Sequence, residues 1–206
     1  LDRGLFITFE GIDGCGKSTQ FEMLKDYLAS NGEDFTVVRE PGGTVIGEKI
    51  RDLLLNKKND SMKPLTELFL FEAARAQITE EVIRPALERG TTVLCDRFFD
   101  STYAYQGFAR KLGTDTASTL NYLATGGLEP DITFFIDIPV KVALDRRGIR
   151  GEADDRMEAL GASFQEDVRK GYLEAASRYP RIRVIDGCDT PENVFEKVKK
   201  YYEGAK

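Results

Sequence analysis

The sequence predicts an α/β fold in which five parallel strands form a central sheet flanked by helices, and three observations carry that prediction. Short apolar runs alternate with longer segments of helical period, polar residues gather where the runs end, and G-x-x-x-x-G-K-[ST] stands between the first strand and the first helix. Such alternation implies right-handed crossovers and ligands at the carboxyl ends of the strands. With 206 residues and 41% hydrophobic content, the span 1–206 is expected to form one domain.

Leu5, Phe6, Ile7 and Phe9 make the first strand, and Phe21, Met23, Leu24, Tyr27 and Leu28 follow at helical spacing up to the stop at Asn31-Gly32. Phe35, Val37 and Val38 form the second strand, ending in Arg39-Glu40-Pro41-Gly42-Gly43. A helix is expected from Val45 to Leu55, a polar loop from Asn56 to Lys63, and a long helix from Pro64 toward Gly90, with Pro85 kinking its end. Thr91 to Cys95 is the third strand, Ser101 to Gln106 a helical turn or two, and Thr116 to Thr125 a helix closed by Gly126-Gly127. Ile132 to Ile138 is the fourth strand, Val140 to Arg147 a short helix, and about 148–161 a charged, glycine-bearing excursion that reads as a lid. Phe164 to Ser177 is helical, Ile182 to Ile185 the fifth strand, and Glu192 to Tyr202 the last helix.

The stretch F-E-G-I-D-G-C-G-K-S-T, Phe9 to Thr19, is a P-loop, which predicts the three-layer P-loop NTPase fold and the binding of a nucleoside triphosphate. Its glycines let backbone N–H groups curl round phosphate oxygens, Lys17 reaches the β and γ phosphates, and the Ser18 hydroxyl is placed for Mg²⁺. The ATP-binding set is accordingly Gly11, Ile12, Asp13, Gly14, Cys15, Gly16, Lys17, Ser18 and Thr19. Lys17 and the loop dipoles are expected to favour a thiolate at Cys15. A net charge of -6 argues against general affinity for nucleic acid or anionic membranes. No apolar run approaches ~20 residues, no signal peptide opens the sequence, and three scattered cysteines suit reduced thiols, so the expected location is the cytoplasm. Without histidine, Ser-His-Asp and Cys-His hydrolases are excluded. Asn56-Lys57-Lys58-Asn59 is a poor match to the guanine-reading N-K-x-D of a GTP switch, whereas Arg39, Arg51, Arg75 and Arg97 offer cations for a second phosphate.

Four ordered motifs then resemble those of bacterial thymidylate kinases: the P-loop stretch, R-E-P-G-G-T at Arg39 to Thr44, F-E-A-A-R-A-Q at Phe71 to Gln77, and D-R-F-F-D-S-T-Y-A-Y-Q-G at Asp96 to Gly107. The resemblance implies transfer of the ATP γ-phosphoryl group to dTMP, giving dTDP and ADP, by a homodimer. It implies that Phe71 stacks on thymine and Arg75 donates to its O4, that Thr102 and Gln106 accept N3–H, and that Tyr105 crowds the sugar 2′ position. Arg97, Arg51 and Arg39 would bind the acceptor phosphate beside Glu40, Pro41 and Ser101, with Asp13 on the 3′-hydroxyl and Asp96 supporting Mg²⁺. Some members carry an arginine where this chain has Gly14; this chain resembles the other type, whose cations come from a lid. Here Arg146, Arg147, Arg150 and Arg156 are the candidates, with Arg146 also at the ATP site and Arg150 and Arg156 assigned to catalysis beside Lys17, Arg97 and Asp13. Another nucleoside monophosphate or deoxynucleoside kinase, and a nucleotide-binding regulator without turnover, stay as alternatives.

Overall fold

The computed structural model describes residues 3–150 and 155–205, the side chain of Arg150 excepted. Strand β1 (Phe6–Glu10) is buried at every residue, as its apolar run requires of a strand covered on both faces. It lies at the centre of a five-stranded parallel sheet with β2 (Phe35–Arg39), β3 (Thr92–Asp96), β4 (Ile132–Asp137) and β5 (Ile182–Asp186), in the order β2-β3-β1-β4-β5. Successive side chains of β1 go to opposite faces. Ile7 and Phe9 join one apolar cluster with Leu24, Leu28, Phe134 and Tyr172, while Phe6 joins another with Ile78, Leu87, Val93 and Phe98. Register pairs Phe9 with Asp96 and Asp96 with Arg39, so Glu10, Asp96 and Arg39 come level at one edge. The crossover that skips from β1 to β2 before returning to β3 makes this edge a switch point, where such sheets bind ligands.

Helices α1 (Lys17–Ser30) and α2 (Val45–Leu55) match expectation, and Thr44 caps α2 by accepting from Gly47 N at 2.9 Å. The expected continuous helix to Gly90 is divided into α3 (Pro64–Ile78), a π-helical stretch Thr79–Ile83, and α4 (Arg84–Glu88). Pro85 has no N–H and its ring would meet the carbonyl four residues earlier, and the wider turn before it accommodates that conflict. A second π-helical stretch, Tyr103–Ala109, extends α5 (Phe99–Thr102) well beyond the expected turn. Then come α6 (Thr114–Thr125), α7 (Val140–Arg150), α8 (Gly161–Arg178) and α9 (Pro191–Glu203). Of the expected lid, positions 151–154 lie outside the described residues, and Glu158–Leu160 forms a 3₁₀ turn. Among the described residues no helix is long and apolar enough to cross a membrane.

Candidate active site

The loop between β1 and α1 needs glycine for two separate reasons. Gly11 has φ +144°, and a Cβ there would stand 2.7 Å from both Cys15 Sγ and the Ile136 carbonyl. Gly14 has φ +89°, and its Cβ would fall 2.4 Å from the Ala143 carbonyl, so the arginine found here in the other type has no room without a shift. Lys17 is buried and donates to Asp96 Oδ1. Ser18 and Thr19 are exposed in the first turn of α1. Cys15 departs from expectation, because burial raises its thiol pKa more than Lys17 lowers it; the thiol stays neutral.

A cavity of about 300 Å³ runs from this loop across the sheet edge. Ile12, Asp13, Cys15, Lys17, Ser18, Arg39, Glu40, Pro41 and Arg51 line one part, and Phe71, Asp96, Arg97, Ser101, Thr102, Tyr105 and Gln106 another. Sixteen residues scattered over the sequence thus share one wall with Gly14 and Gly16. A separate hollow of about 260 Å³ behind the loop is lined by Cys15, Gly16, Thr19 and Arg146, whose Nη1 donates to the Cys15 carbonyl at 3.3 Å.

Arg97 is constrained at both its backbone and its guanidinium. Its backbone has φ 66°, a region costly for a side-chain-bearing residue, and it is held there by Arg97 N to Phe9 O at 3.0 Å and Phe98 N to Glu10 Oε1 at 2.7 Å. Its guanidinium donates to Asp13 Oδ1 at 2.5 Å, Tyr172 Oη at 3.2 Å and Ser101 Oγ at 3.3 Å, and lies over the Tyr105 ring. Burial alone would raise the Asp13 carboxyl pKa, but Arg97, Lys17 and Arg147 outweigh it and hold Asp13 below the ordinary range. Burial raises the pKa of buried Glu10, which accepts from Ser101 Oγ at 2.6 Å and Tyr172 Oη at 2.8 Å. Arg39 and Arg51 both donate to the Pro41 carbonyl at 2.9 Å, and Arg39 also meets Glu48. Burial and then Arg39 lower the Arg51 pKa, so an anion between the two would relieve like-charge repulsion.

Two expected site residues, Arg75 and Arg156, are not among the residues that line the cavity. Arg75 shares a helix face with Phe71 but lies behind the cavity wall, 1% exposed, bonded to Glu40 at 2.8 Å, Glu72 at 2.7 Å, Thr102 at 2.8 Å and Asn121 at 3.1 Å. Those carboxylates draw it inward, and Thr102 stands between it and the cavity. Arg156, expected among the catalytic cations, is buried against α2 and α3. Its Nε donates to the Leu54 carbonyl at 2.6 Å, its Nη1 to Glu67 at 2.6 Å, and its Nη2 to Met157 Sδ at 3.4 Å. Leaving would strip a buried pair, a cost of about 3–5 kcal/mol. Of the other lid arginines, Arg147 lines the cavity opposite Glu158 at 3.6 Å, and the side chain of Arg150 lies outside the described residues.

Sequence reasoning did not single out Leu55, Asp155, Met157 and Glu158 as cavity residues, nor Tyr172 and Glu67 beneath it. Glu67 was findable, since it precedes Phe71 by four on α3 and so shares its face. Tyr172 offered no local sign, its approach to Arg97 depending on how α8 crosses the sheet.

A phosphate-cradling loop, a buried lysine and a cluster of arginines at one parallel-sheet edge define a P-loop phosphotransferase with a second, anion-accepting site. The chain matches the thymidylate kinase family over residues 9–198. It is 52% identical over 196 residues to a thymidylate kinase of Thermosipho melanesiensis, covering 95% of this chain and 96% of that one. The thymidylate kinases of Thermosipho africanus and Caldanaerobacter subterraneus subsp. tengcongensis are 49% and 46% identical, each covering at least 97% of both chains. The chain belongs to the thymidylate kinase family, and its reaction is the phosphorylation of dTMP to dTDP.

Proposed function

We propose that dTMP occupies the cavity between the P-loop, α3 and the second π-helical stretch, with ATP on the loop and its adenine in the hollow beside Arg146 and Thr19. The observation that carries this is the continuity of one cavity from Lys17 to Phe71 past Arg97, Arg39 and Arg51. Phe71 offers its ring to the base. Thr102 accepts from Arg75, which can only donate, so the Thr102 hydroxyl hydrogen is left to donate to thymine O4. Gln106 gives its amide to Glu67, which leaves its carbonyl oxygen for N3–H. Cytosine, with a donor at position 4 and an acceptor at N3, mismatches both. Tyr105 is buried beneath the sugar region and Asp13 stands beside Arg97, as the sugar contacts require.

No general base is required, because the acceptor phosphate, with a second pKa near ~6, is largely a dianion at neutral pH. Arg97, Arg39 and Arg51 orient it, while Lys17 exchanges Asp96 for the β and γ phosphates of ATP. Ser18 and Asp96 supply oxygens suited to Mg²⁺, an ion that keeps several waters and shares phosphate oxygens. Among the described residues no cluster of three or more carboxylate, thiol or imidazole groups forms a full protein cage, which fits that mode. When bound, the ion would neutralise phosphate charge. Three free cysteines support a cytoplasmic setting, and the whole chain is read as one domain acting as a homodimer.

The test is ADP release from ATP with dTMP, dUMP, dCMP, dGMP and AMP as acceptors. Turnover is expected to be fastest with dTMP; faster turnover with AMP or dGMP would contradict the base contacts assigned to this cavity.

A further inference from the structure

Glu67 carries charge where α3 should be apolar. It is wholly buried, and its carboxylate accepts from Gln106 Nε2 at 2.9 Å, from Arg110 Nε and Nη2 at 3.2 and 2.9 Å, and from Arg156 Nη1 at 2.6 Å. Two guanidiniums from separate segments thus converge on one side chain that does not itself line the cavity. The cavity residue among its partners is Gln106.

An amide has two ends of nearly equal shape and opposite hydrogen-bonding sense, so steric fit alone does not choose which faces a ligand. An ionised carboxylate accepts and never donates. Against it, Gln106 must present its NH₂ group, and its carbonyl oxygen is left for the cavity. A neutral acid or amide at position 67 offers a donor as well as acceptors, and both orientations of Gln106 then find a partner. We propose that Glu67 is a specificity-positioning residue: held ionised by Arg110 and Arg156, it fixes Gln106 with its carbonyl toward the acceptor base and thereby selects N3–H of thymine over N3 of cytosine. This rests on the reading that the base lies against Gln106. Burial by itself would raise the Glu67 pKa, and its partners, Arg110 first, bring it below the ordinary value. Arg156 acquires a role beyond that of a lid cation: it holds Glu67 ionised from the return limb of the lid, while its backbone N–H donates to the Leu55 carbonyl at 3.1 Å.

The experiment compares kcat/KM for dTMP and dCMP at saturating ATP in wild type, Glu67→Gln, Gln106→Met and the double variant, with thermal unfolding recorded for each. The dTMP:dCMP ratio is expected to fall about tenfold or more in Glu67→Gln, through weaker dTMP use together with improved dCMP use. Gln106→Met should lose a similar factor, and adding Glu67→Gln to it should change the ratio by less than about twofold. A merely structural Glu67 lowers both kcat/KM values in parallel and leaves the ratio untouched, which overturns the proposal. Should Glu67→Gln not fold, Gln106→Met decides alone, since an unchanged ratio there leaves Glu67 nothing to orient. Wild-type enzyme that uses dCMP as well as dTMP would instead defeat the assignment of the base to this cavity, a result visible before any variant is made.

Discussion

Arg75 shows how a single residue's role depends on what stands beside it. Its removal leaves two buried carboxylates, Glu40 and Glu72, and two neutral acceptors without their donor, so Arg75→Ala is expected to cost about 3–5 kcal/mol of stability. Burial pushes the Glu40 carboxyl up to about 7 even with Arg75 holding it down. An acid whose folded pKa lies above its unfolded value near ~4.3 takes up a proton on folding. Its contribution is therefore present at low pH and is lost as pH rises through the folded value. Without Arg75 that dependence steepens, and the deficit of Arg75→Ala in urea unfolding should be smaller at pH 5.5 than at pH 8. A deficit independent of pH would mean that Glu40 is not the group left uncompensated.

The P-loop makes its demand as an element. Gly14 sits at φ +89° with the Ala143 carbonyl 2.4 Å from any Cβ, so α7 closes over the loop only because no side chain is present. Gly14→Ala is expected to cost about 1–3 kcal/mol and to weaken ATP binding about tenfold or more, because the N–H cradle must shift to clear α7. Calorimetric titration of ATP with the folded variant checks this, and unchanged affinity would show that the cradle tolerates the shift. The second π-helical stretch makes a comparable demand. Its widened turns bring Tyr105 and Gln106 to the cavity and, through the Arg110 N to Tyr105 O bond at 2.8 Å, also set Arg110 against Glu67.

At the scale of the described molecule, three helices that pack in series carry exposed apolar side chains: Val45, Ile46 and Leu53 on α2, Leu65 and Phe69 on α3, and Tyr122 and Leu123 on α6. Exposed apolar side chains on adjoining helices support the homodimer proposed above, because apolar surface shared between neighbouring elements favours association. Sedimentation at micromolar concentration should give a dimer for wild type, and Phe69→Glu should shift it toward monomer by burying an unpaired charge. A wild-type monomer would remove the dimer from the reading.

Sequence alone determined the parts that repeat locally. The five strands, the P-loop and its flanking elements, and the family motifs were legible because apolar period and glycine placement act over a few residues. The residues gathered at the strand ends were legible for the same reason, since parallel topology dictates where those ends lie. Only the tertiary structure decided which partner each charged side chain meets. Arg75 was read as a base contact and Arg156 as a catalytic cation, and in the structure Glu40 and Glu67, distant in sequence, accept from these guanidiniums. A buried carboxylate acts through a few ångströms of low-dielectric space, and which cation fills that space is set by how helices pack, a relation that no local pattern encodes.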